Sequence, residues 1–195
     1  HGEVPNLKIL KLEIPGLLVI EPDVFKDQRG FFMETWNAKR YAEAGLDVDF
    51  VQDNLSYSSY GVLRGLHYQQ PNAQGKLVYV MQGSVYDVAV DIRVGSPSFG
   101  QWYGIELSAE NKRQFYIPEG FAHGYCVLSE TVLFAYKCTN FYSPANEGGI
   151  AWDDPELSID WPVENPILSD KDTKYPLLSE IGPNKLPQWS EHDEQ

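Results

Sequence analysis

The stretch KLVYVMQGSVYDVAVDIR, residues 76–93, decides the fold class of this chain. Two runs rich in β-branched and aromatic residues flank Gln82-Gly83, a pattern that predicts a β-hairpin. Alternation along the second run places Asp87 and Asp91 on one face, together with small apolar residues. Two aspartates in the middle of a sheet need polar surroundings. The pattern therefore predicts a closed β-barrel with a polar interior, not a sandwich with a wholly apolar core.

The same strand signals continue outward from this stretch in both directions. Short apolar runs recur roughly every ten residues between Gly and Pro, as is typical of antiparallel sandwiches and barrels. The other runs are Leu7–Glu13, Leu17–Glu21, Phe31–Thr35, Val62–Gln69, Trp102–Ser108, Gln114–Ile117, His123–Leu128 and Thr131–Thr139. One helix is predicted over Asn37–Ala44, ending at Gly45. These signals predict an all-β fold with very little helix.

The chain changes character from Tyr142 onward. It becomes rich in Pro, Asp, Glu and Trp, which predicts turns and short helices wrapped around the barrel. Residues 181–195 predict an acidic, loosely held tail. Because 195 residues fit one domain and leave little room for two, we expect a single domain over residues 1–195.

The composition argues against several classes of function. A net charge of −13, from 28 acidic and 15 basic residues, repels phosphate backbones and disfavours nucleic acid as a partner. No apolar run is long enough for a membrane span, and the start HGEVPNLKIL lacks the pattern of a secretory signal. The only cysteines, Cys126 and Cys138, are expected to be reduced and buried, as in a cytoplasmic protein.

His67 lies inside a strand pattern and has two interpretations. Alternation along Val62–Gln69 places it on one face with Gly65. It is either a core histidine that binds a neighbouring backbone group, or a base that points into a cavity where Gly65 leaves space for a ligand. The strand alone leaves both interpretations open.

Three further residues have a structural and a functional interpretation each. His123, which follows Pro118–Ala122, is either a loop histidine that completes a turn or a ligand contact. Tyr136 is either part of the core or a general acid that donates its phenol proton. Lys76 is either a solvated cation or a positive charge placed against a developing oxyanion.

A metal site is an alternative, because cupin-type barrels often hold an ion between two histidines one residue apart, a carboxylate and a later histidine. Here the sequence reads His67-Tyr68-Gln69, with an aromatic residue next to the first candidate ligand. A facial triad of His67, His123 and one carboxylate stays open. The dinucleotide, phosphate-loop and Gly-x-Ser-x-Gly patterns are all missing from the sequence, and proton transfer is the chemistry that remains.

Seven segments in order carry a resemblance to a known family. They are Phe50–Asn54, Val62–His67, Gln74–Val78, Tyr116–Gly124, Tyr136-Lys137, Tyr142–Pro144 and Leu168–Asp172. Over roughly residues 7–178 the chain closely resembles the dTDP-4-dehydrorhamnose 3,5-epimerase family. The resemblance implies a cupin-like jelly-roll barrel with a few short peripheral helices. It also implies a homodimer that acts in dTDP-L-rhamnose synthesis without metal or coenzyme.

The resemblance implies a role for each motif residue. His67 corresponds to the proton acceptor, with Asp172 as its hydrogen-bonded partner, and Tyr136 corresponds to the proton donor. Lys76 and His123 correspond to substrate-contacting positions, and Lys76 would stabilise the enolate oxygen. The other implied substrate contacts are Arg29, Glu34, Gln52, Asp53, Asn54, Arg64, Glu147, Lys171 and Tyr142, the last stacking on the thymine ring.

Two of these implications carry a structural expectation. The segment with Arg29 and Glu34 is implied to reach the active site of the neighbouring subunit. Arg64 and His67 face opposite sides of an ideal strand, so a bulge or an end-of-strand twist is needed for both to serve one site.

Three alternative functions remain. A mono-epimerase that acts only at C3 or only at C5, or on a related nucleotide sugar, would share the same base and acid motifs. A metal-dependent cupin enzyme would need a metal ion for activity. A non-catalytic sugar-binding barrel would need no base at all.

Overall fold

The computed structural model describes residues 4–194, so the first three residues and the last of the predicted 1–195 domain lie outside it. It contains thirteen β-strands and one α-helix within that range. The strands are β1 Leu7–Lys11, β2 Leu18–Pro22, β3 Val24–Asp27, β4 Gly30–Met33, β5 Gln52–Ser59, β6 Leu63–Gln69, β7 Lys76–Gln82, β8 Ser84–Asp91, β9 Trp102–Ser108, β10 Gln114–Ile117, β11 Phe121–Val127, β12 Thr131–Cys138 and β13 Glu147–Gly149. The helix is α1 Ala38–Ala44. Short 3₁₀ turns span Pro144–Asn146, Leu178–Glu180, Pro183–Lys185 and Glu191–Glu194.

Two antiparallel sheets form the barrel. One has six strands in the order β1-β2-β10-β7-β12-β5, and the other has five in the order β13-β6-β11-β8-β9. A shared core fills the space between them, with Val78 and Phe134 from the first sheet and Val85 and Phe121 from the second. Strands β3 and β4 form a separate hairpin. The predicted all-β, cupin-like fold is confirmed.

The prediction of a hairpin over residues 76–93 is wrong. Strand β7 lies between β10 and β12, whereas β8 belongs to the other sheet, between β11 and β9. Gly83 joins them with a φ of 86°, and a Cβ there would lie 2.2 Å from the carbonyl oxygen of Thr131. A glycine that fits a tight hairpin therefore turns the corner between two sheets instead.

The prediction of a polar interior is confirmed for one of the two aspartates. Asp87 is fully buried on the core side of β8. Asp91 is also fully buried, but it ends the strand and is hydrogen-bonded by neighbouring side chains. It accepts hydrogen bonds from the hydroxyls of Ser96 and Ser98, each at 2.6 Å, and from Nε of Arg93 at 2.9 Å. Burial alone would raise the pKa of Asp91, but these donors lower it.

The helix forms where the sequence predicts it. The side chain of Asn37 caps its first turn by accepting a hydrogen bond from the backbone N–H of Arg40 at 3.0 Å. Gly45 ends it in the left-handed conformation, with a φ of 116°. None of the helices in residues 4–194 is long and apolar enough to cross a membrane. Cys126 and Cys138 are free and buried, as predicted.

The prediction of a loosely held tail is wrong for most of its described part. Leu186 is only 3% exposed and packs in an apolar cluster on the outside of the five-stranded sheet. The backbone N–H of Val94 donates to the carbonyl of Pro187 at 2.8 Å, and the N–H of Trp189 donates back to the carbonyl of Val94 at 2.9 Å. Burial of the apolar residues of this segment and its backbone hydrogen bonds hold it against the sheet, despite its acidic composition.

Candidate active site

A cavity between the two sheets brings together half of the predicted site residues. It is lined in part by Asn54, His67, Gln69, Lys76, His123, Tyr136, Tyr142 and Glu147. An adjoining pocket shares four of these, His67, Lys76, His123 and Tyr136, and adds Arg64, Ser56 and Tyr125. The lining side chains come from strands of both sheets, so a ligand in the cavity would have polar groups on two sides.

His67 is hydrogen-bonded to Asp172. Its Nε2 lies 2.7 Å from Oδ1 of the carboxylate, whose Oδ2 accepts from the backbone N–H of Gly65 at 3.2 Å. Burial alone would raise the pKa of Asp172, but the bonds from His67 and Gly65 outweigh burial and lower it. An ionised Asp172 orients the imidazole and leaves Nδ1 as the ring nitrogen that can accept a proton.

The predicted bulge is present in β6. His67 pairs with His123, but Arg64, three residues earlier, pairs with Tyr125, only two residues later. The extra residue in β6 brings the side chains of Arg64 and His67 to the same pocket. The hypothesis that Gly65 leaves space for a ligand is wrong. A Cβ at Gly65 would lie 2.6 Å from Cα of Gly124, so the glycine makes room for the neighbouring strand.

Tyr136 lies across the cavity from His67. It belongs to β12 of the six-stranded sheet, whereas His67 belongs to β6 of the five-stranded sheet. The ammonium of Lys76 lies 5.4 Å from the centroid of the Tyr136 ring. Burial raises the pKa of Tyr136, so the phenol keeps its proton near neutral pH. His67 and Tyr136 thus line one cavity from different sheets.

His123 and Asp87 form a second histidine–carboxylate pair, deeper than the first. His123 is 6% exposed and Asp87 is fully buried, and Nε2 of His123 lies 2.8 Å from Oδ2 of Asp87. Burial lowers the pKa of both His123 and Lys76, and Asp87 opposes this effect in each case. Among residues 4–194, the other oxygen of Asp87, Oδ1, finds no hydrogen-bond partner. Burial raises the pKa of Asp87, and the nearby His123 and Lys76 oppose this effect.

Asp87 and Gln69 were missed as site residues by the sequence reasoning. Alternation along its strand places Asp87 on the polar interior face. Gln69 fixes the loop that carries Tyr142. Its amide donates to the carbonyl of Phe141 at 3.0 Å, and its oxygen accepts from the N–H of Ser143 at 2.9 Å.

A polar cluster forms the rim of the cavity. The hydroxyl of Tyr142 donates to Glu147 at 2.6 Å, and Nζ of Lys171 donates to the same oxygen at 2.8 Å. Gln52 accepts from the N–H of Tyr142 at 2.9 Å and donates to Asn54 at 3.0 Å. Tyr142 itself is 49% exposed, so its ring is free to receive a flat ligand.

Three predicted contacts lie away from this cavity within a single chain. Arg29 is on the β3–β4 hairpin, with its side chain 74% exposed and bound to Asp27. Glu34 follows the hairpin and binds Arg40 at 2.7 Å. Asp53 has a side chain that is 75% exposed and bound to Lys137. One chain alone does not bring these three residues to His67.

The described residues do not form the facial triad that the sequence left open. Within residues 4–194, no three His, Cys, Asp or Glu side chains are placed to hold one metal ion. His67 and His123 each bind a separate carboxylate. The donor set of the cavity fits proton transfer by these groups.

The chain is similar to proteins of one family. A family model described as dTDP-4-dehydrorhamnose 3,5-epimerase matches residues 11–180. A Shigella flexneri protein of that name is 61% identical over 168 residues, which are 85% of this chain and 93% of that protein.

Solved structures agree with this similarity. One is the 3,5-epimerase RmlC from Legionella pneumophila Philadelphia 1, solved in complex with dTDP-4-keto-L-rhamnose. Its TM-score is 0.92 and its sequence identity is 55%, over 95% of this chain and all of that one. ChmJ, a 3'-monoepimerase from Streptomyces bikiniensis in complex with dTDP-quinovose, has a TM-score of 0.84 and 35% identity, over 91% of both chains.

Proposed function

This chain belongs to the dTDP-4-dehydrorhamnose 3,5-epimerase family, and we propose that His67 and Tyr136 perform its reaction as base and acid. The activity is epimerisation of dTDP-4-keto-6-deoxy-D-glucose at C3 and C5, which gives dTDP-4-keto-L-rhamnose. One observation supports the assignment of roles above all. His67 and Tyr136 project from different sheets into one cavity, and inversion at carbon needs proton removal and return on opposite faces.

His67 removes the proton. The C4 ketone acidifies the hydrogens at C3 and C5, because either carbanion delocalises onto the ketone oxygen as an enolate. A neutral imidazole accepts such a proton near neutral pH. Asp172, whose pKa is lowered because the bonds from His67 and Gly65 outweigh the opposing effect of burial, then stabilises the imidazolium that forms.

Lys76 stabilises the enolate oxygen. Its ammonium lies near the Tyr136 ring and lines the same cavity as His67. A positive charge in a partly enclosed site acts strongly on a developing oxyanion, because little water screens it. Burial lowers the pKa of Lys76, and the nearby Asp87 carboxylate opposes this effect and so favours the ammonium form.

Tyr136 returns a proton on the opposite face. Its phenol is kept protonated by burial; between rounds solvent reprotonates the phenolate and takes the proton from the His67 imidazolium. One round at each carbon gives the doubly inverted product. The rim cluster of Tyr142, Glu147 and Lys171 would hold the nucleotide, with Tyr142 stacking on the base and Arg64 facing the diphosphate.

Turnover in heavy water tests this function. With dTDP-4-keto-6-deoxyglucose as substrate, we expect deuterium at both C3 and C5 of the product, read by NMR, because each inverted carbon takes its new hydrogen from solvent through Tyr136. Deuterium at one carbon only would show the mono-epimerase reaction of the ChmJ type. A chain that binds dTDP but exchanges no hydrogen would be a binding protein.

We also propose a homodimer whose subunits complete each other's sites. Arg29 and the exposed ring of Phe31 lie on the β3–β4 hairpin, which is separate from both sheets of its own chain. Leu55, Tyr57 and Met81, on the six-stranded sheet, are also exposed apolar residues. A two-fold interface over this surface would carry the hairpin to the partner's cavity. The two free cysteines fit a reducing compartment, so we propose a cytoplasmic location.

Mixing two inactive variants tests the shared site. We expect His67→Asn and Arg29→Ala each to be impaired alone, and an equimolar mixture to regain about a quarter of native turnover. Random exchange makes half of the dimers mixed, and each mixed dimer holds one site with both native residues. Absence of any gain on mixing, with subunit exchange verified by mass, would contradict a shared site.

A further inference from the structure

Part of the cavity wall is apolar. It is formed by Ile117, Gly120, Phe121 and Pro187, whereas the rim carries Tyr142 and other polar groups. Ile117 and Phe121 flank the turn between β10 and β11. Pro187 comes from the C-terminal segment Leu186–Trp189, which lies beyond residues 11–180, the part matched by the family model. A segment outside the family match therefore forms part of the cavity wall.

This wall is held in place by a stacked arrangement around Arg93. The guanidinium carbon of Arg93 lies 4.5 Å from the ring centroid of Phe121 and 4.7 Å from that of Trp189. Arg93 is 2% exposed, and its Nε is fixed by Asp91 at 2.9 Å. Cation–π contacts of a buried guanidinium with aromatic rings are strong. They join the C-terminal segment to the strand that carries His123.

This apolar part of the wall lies beside Lys76, the residue proposed to stabilise the oxygen at C4. Ile117 pairs with Lys76 across β10 and β7. In the substrate, C6 is two bonds from C4, on the C5 side. If Lys76 binds the C4 oxygen, the group at C6 is therefore within reach of the wall next to it.

We propose that Ile117, Phe121 and Pro187 form a subsite for the C6 methyl group of the 6-deoxy sugar. The inference rests on the proposed function and names the feature of the substrate that this wall selects. A methyl group gains by leaving water for an apolar surface. A C6 hydroxyl would lose its hydrogen bonds to water there, because these three side chains offer it no donor or acceptor.

Binding of two sugar nucleotides that cannot react tests the subsite. We expect the native protein to bind dTDP-6-deoxyglucose about ten-fold to a hundred-fold more tightly than dTDP-glucose, measured by calorimetry. In Pro187→Ala we expect this preference to fall at least three-fold, because each methylene removed from contact is worth roughly four-fold in affinity. Affinity for dTDP alone should stay at the native value.

Two comparisons separate the subsite from a general loss of structure. Pro183→Ala changes a proline of the same C-terminal region that does not line the cavity, and it should keep the full preference. Trp189→Ala should lower the preference through Arg93 and Phe121, whereas Trp189→Phe, which keeps an aromatic face, should restore it.

Equal binding of the two sugars by the native protein, or an unchanged preference in both Pro187→Ala and Trp189→Ala, would overturn the proposal. Because no turnover is needed, these results leave the roles of His67 and Tyr136 untouched, and loss of dTDP binding by the native protein would instead count against the proposed function.

Discussion

The His67→Asn variant is expected to lose proton exchange at both C3 and C5, with turnover reduced by about a thousand-fold to ten-thousand-fold. Asparagine is a polar residue that fits within the space of the histidine, but its amide accepts no proton from carbon. Both carbons depend on the same base, so the loss should be equal at C3 and C5. Turnover and loss of deuterium from labelled substrate, followed by NMR, measure it.

Binding of dTDP serves as the control for folding, and it should be unchanged in His67→Asn. Turnover of the Asp172→Asn variant should also fall, by a factor of about a hundred or more. The imidazole loses the carboxylate that fixes its tautomer and stabilises the imidazolium. Near-native turnover in His67→Asn would show that another group is the base. Exchange that survives at one carbon only would mean two bases.

The Tyr136→Phe variant is expected to separate proton removal from proton return. Turnover should fall by about a hundred-fold to ten-thousand-fold, because the general acid is lost. Proton removal by His67 should continue, so substrate in heavy water should gain deuterium without inversion. The ratio of exchange to inversion, which is the informative measurement, should rise well above the native value.

Tyr103→Phe is a matched control for this variant. Tyr103 packs against the core, with its ring 6.0 Å from that of Phe115, and it does not line the cavity. Loss of its hydroxyl should leave the ratio of exchange to inversion at the native value. If Tyr136→Phe loses exchange and inversion in equal proportion, the phenol has no separate role in proton return.

Local features of the fold were predictable from the sequence, whereas strand neighbours were not. Gly45 ends the helix as predicted, because a glycine in the left-handed conformation is a local signal. A turn at Gly83 is compatible with a hairpin and with a corner between sheets. Only its packing against Thr131, which is distant in sequence, shows that it is a corner. Strand β5 was missed because Gln52, Asp53 and Asn54 are polar and resemble a loop.

In the candidate site, too, local features were predictable and contacts between distant segments were not. A bulge or an end-of-strand twist between Arg64 and His67 could be predicted once the resemblance assigned both residues to one site, and the structure has the bulge. Asp87 was visible as an interior residue, but its contact with His123 depends on how β8 pairs with β11. The contribution of Pro187 could not be predicted, because it depends on packing of the C-terminal segment against Val94.

The hydrogen bond between His67 and Asp172 joins residues 105 positions apart. A chain made from its N-terminus therefore holds the base long before it holds the carboxylate that orients it. A fragment that stops short of residue 172 lacks the pair, even where it contains most of the barrel strands. Activity therefore requires the segment around Asp172 to be made and docked, and we expect its return on refolding to report this long-range contact rather than early collapse.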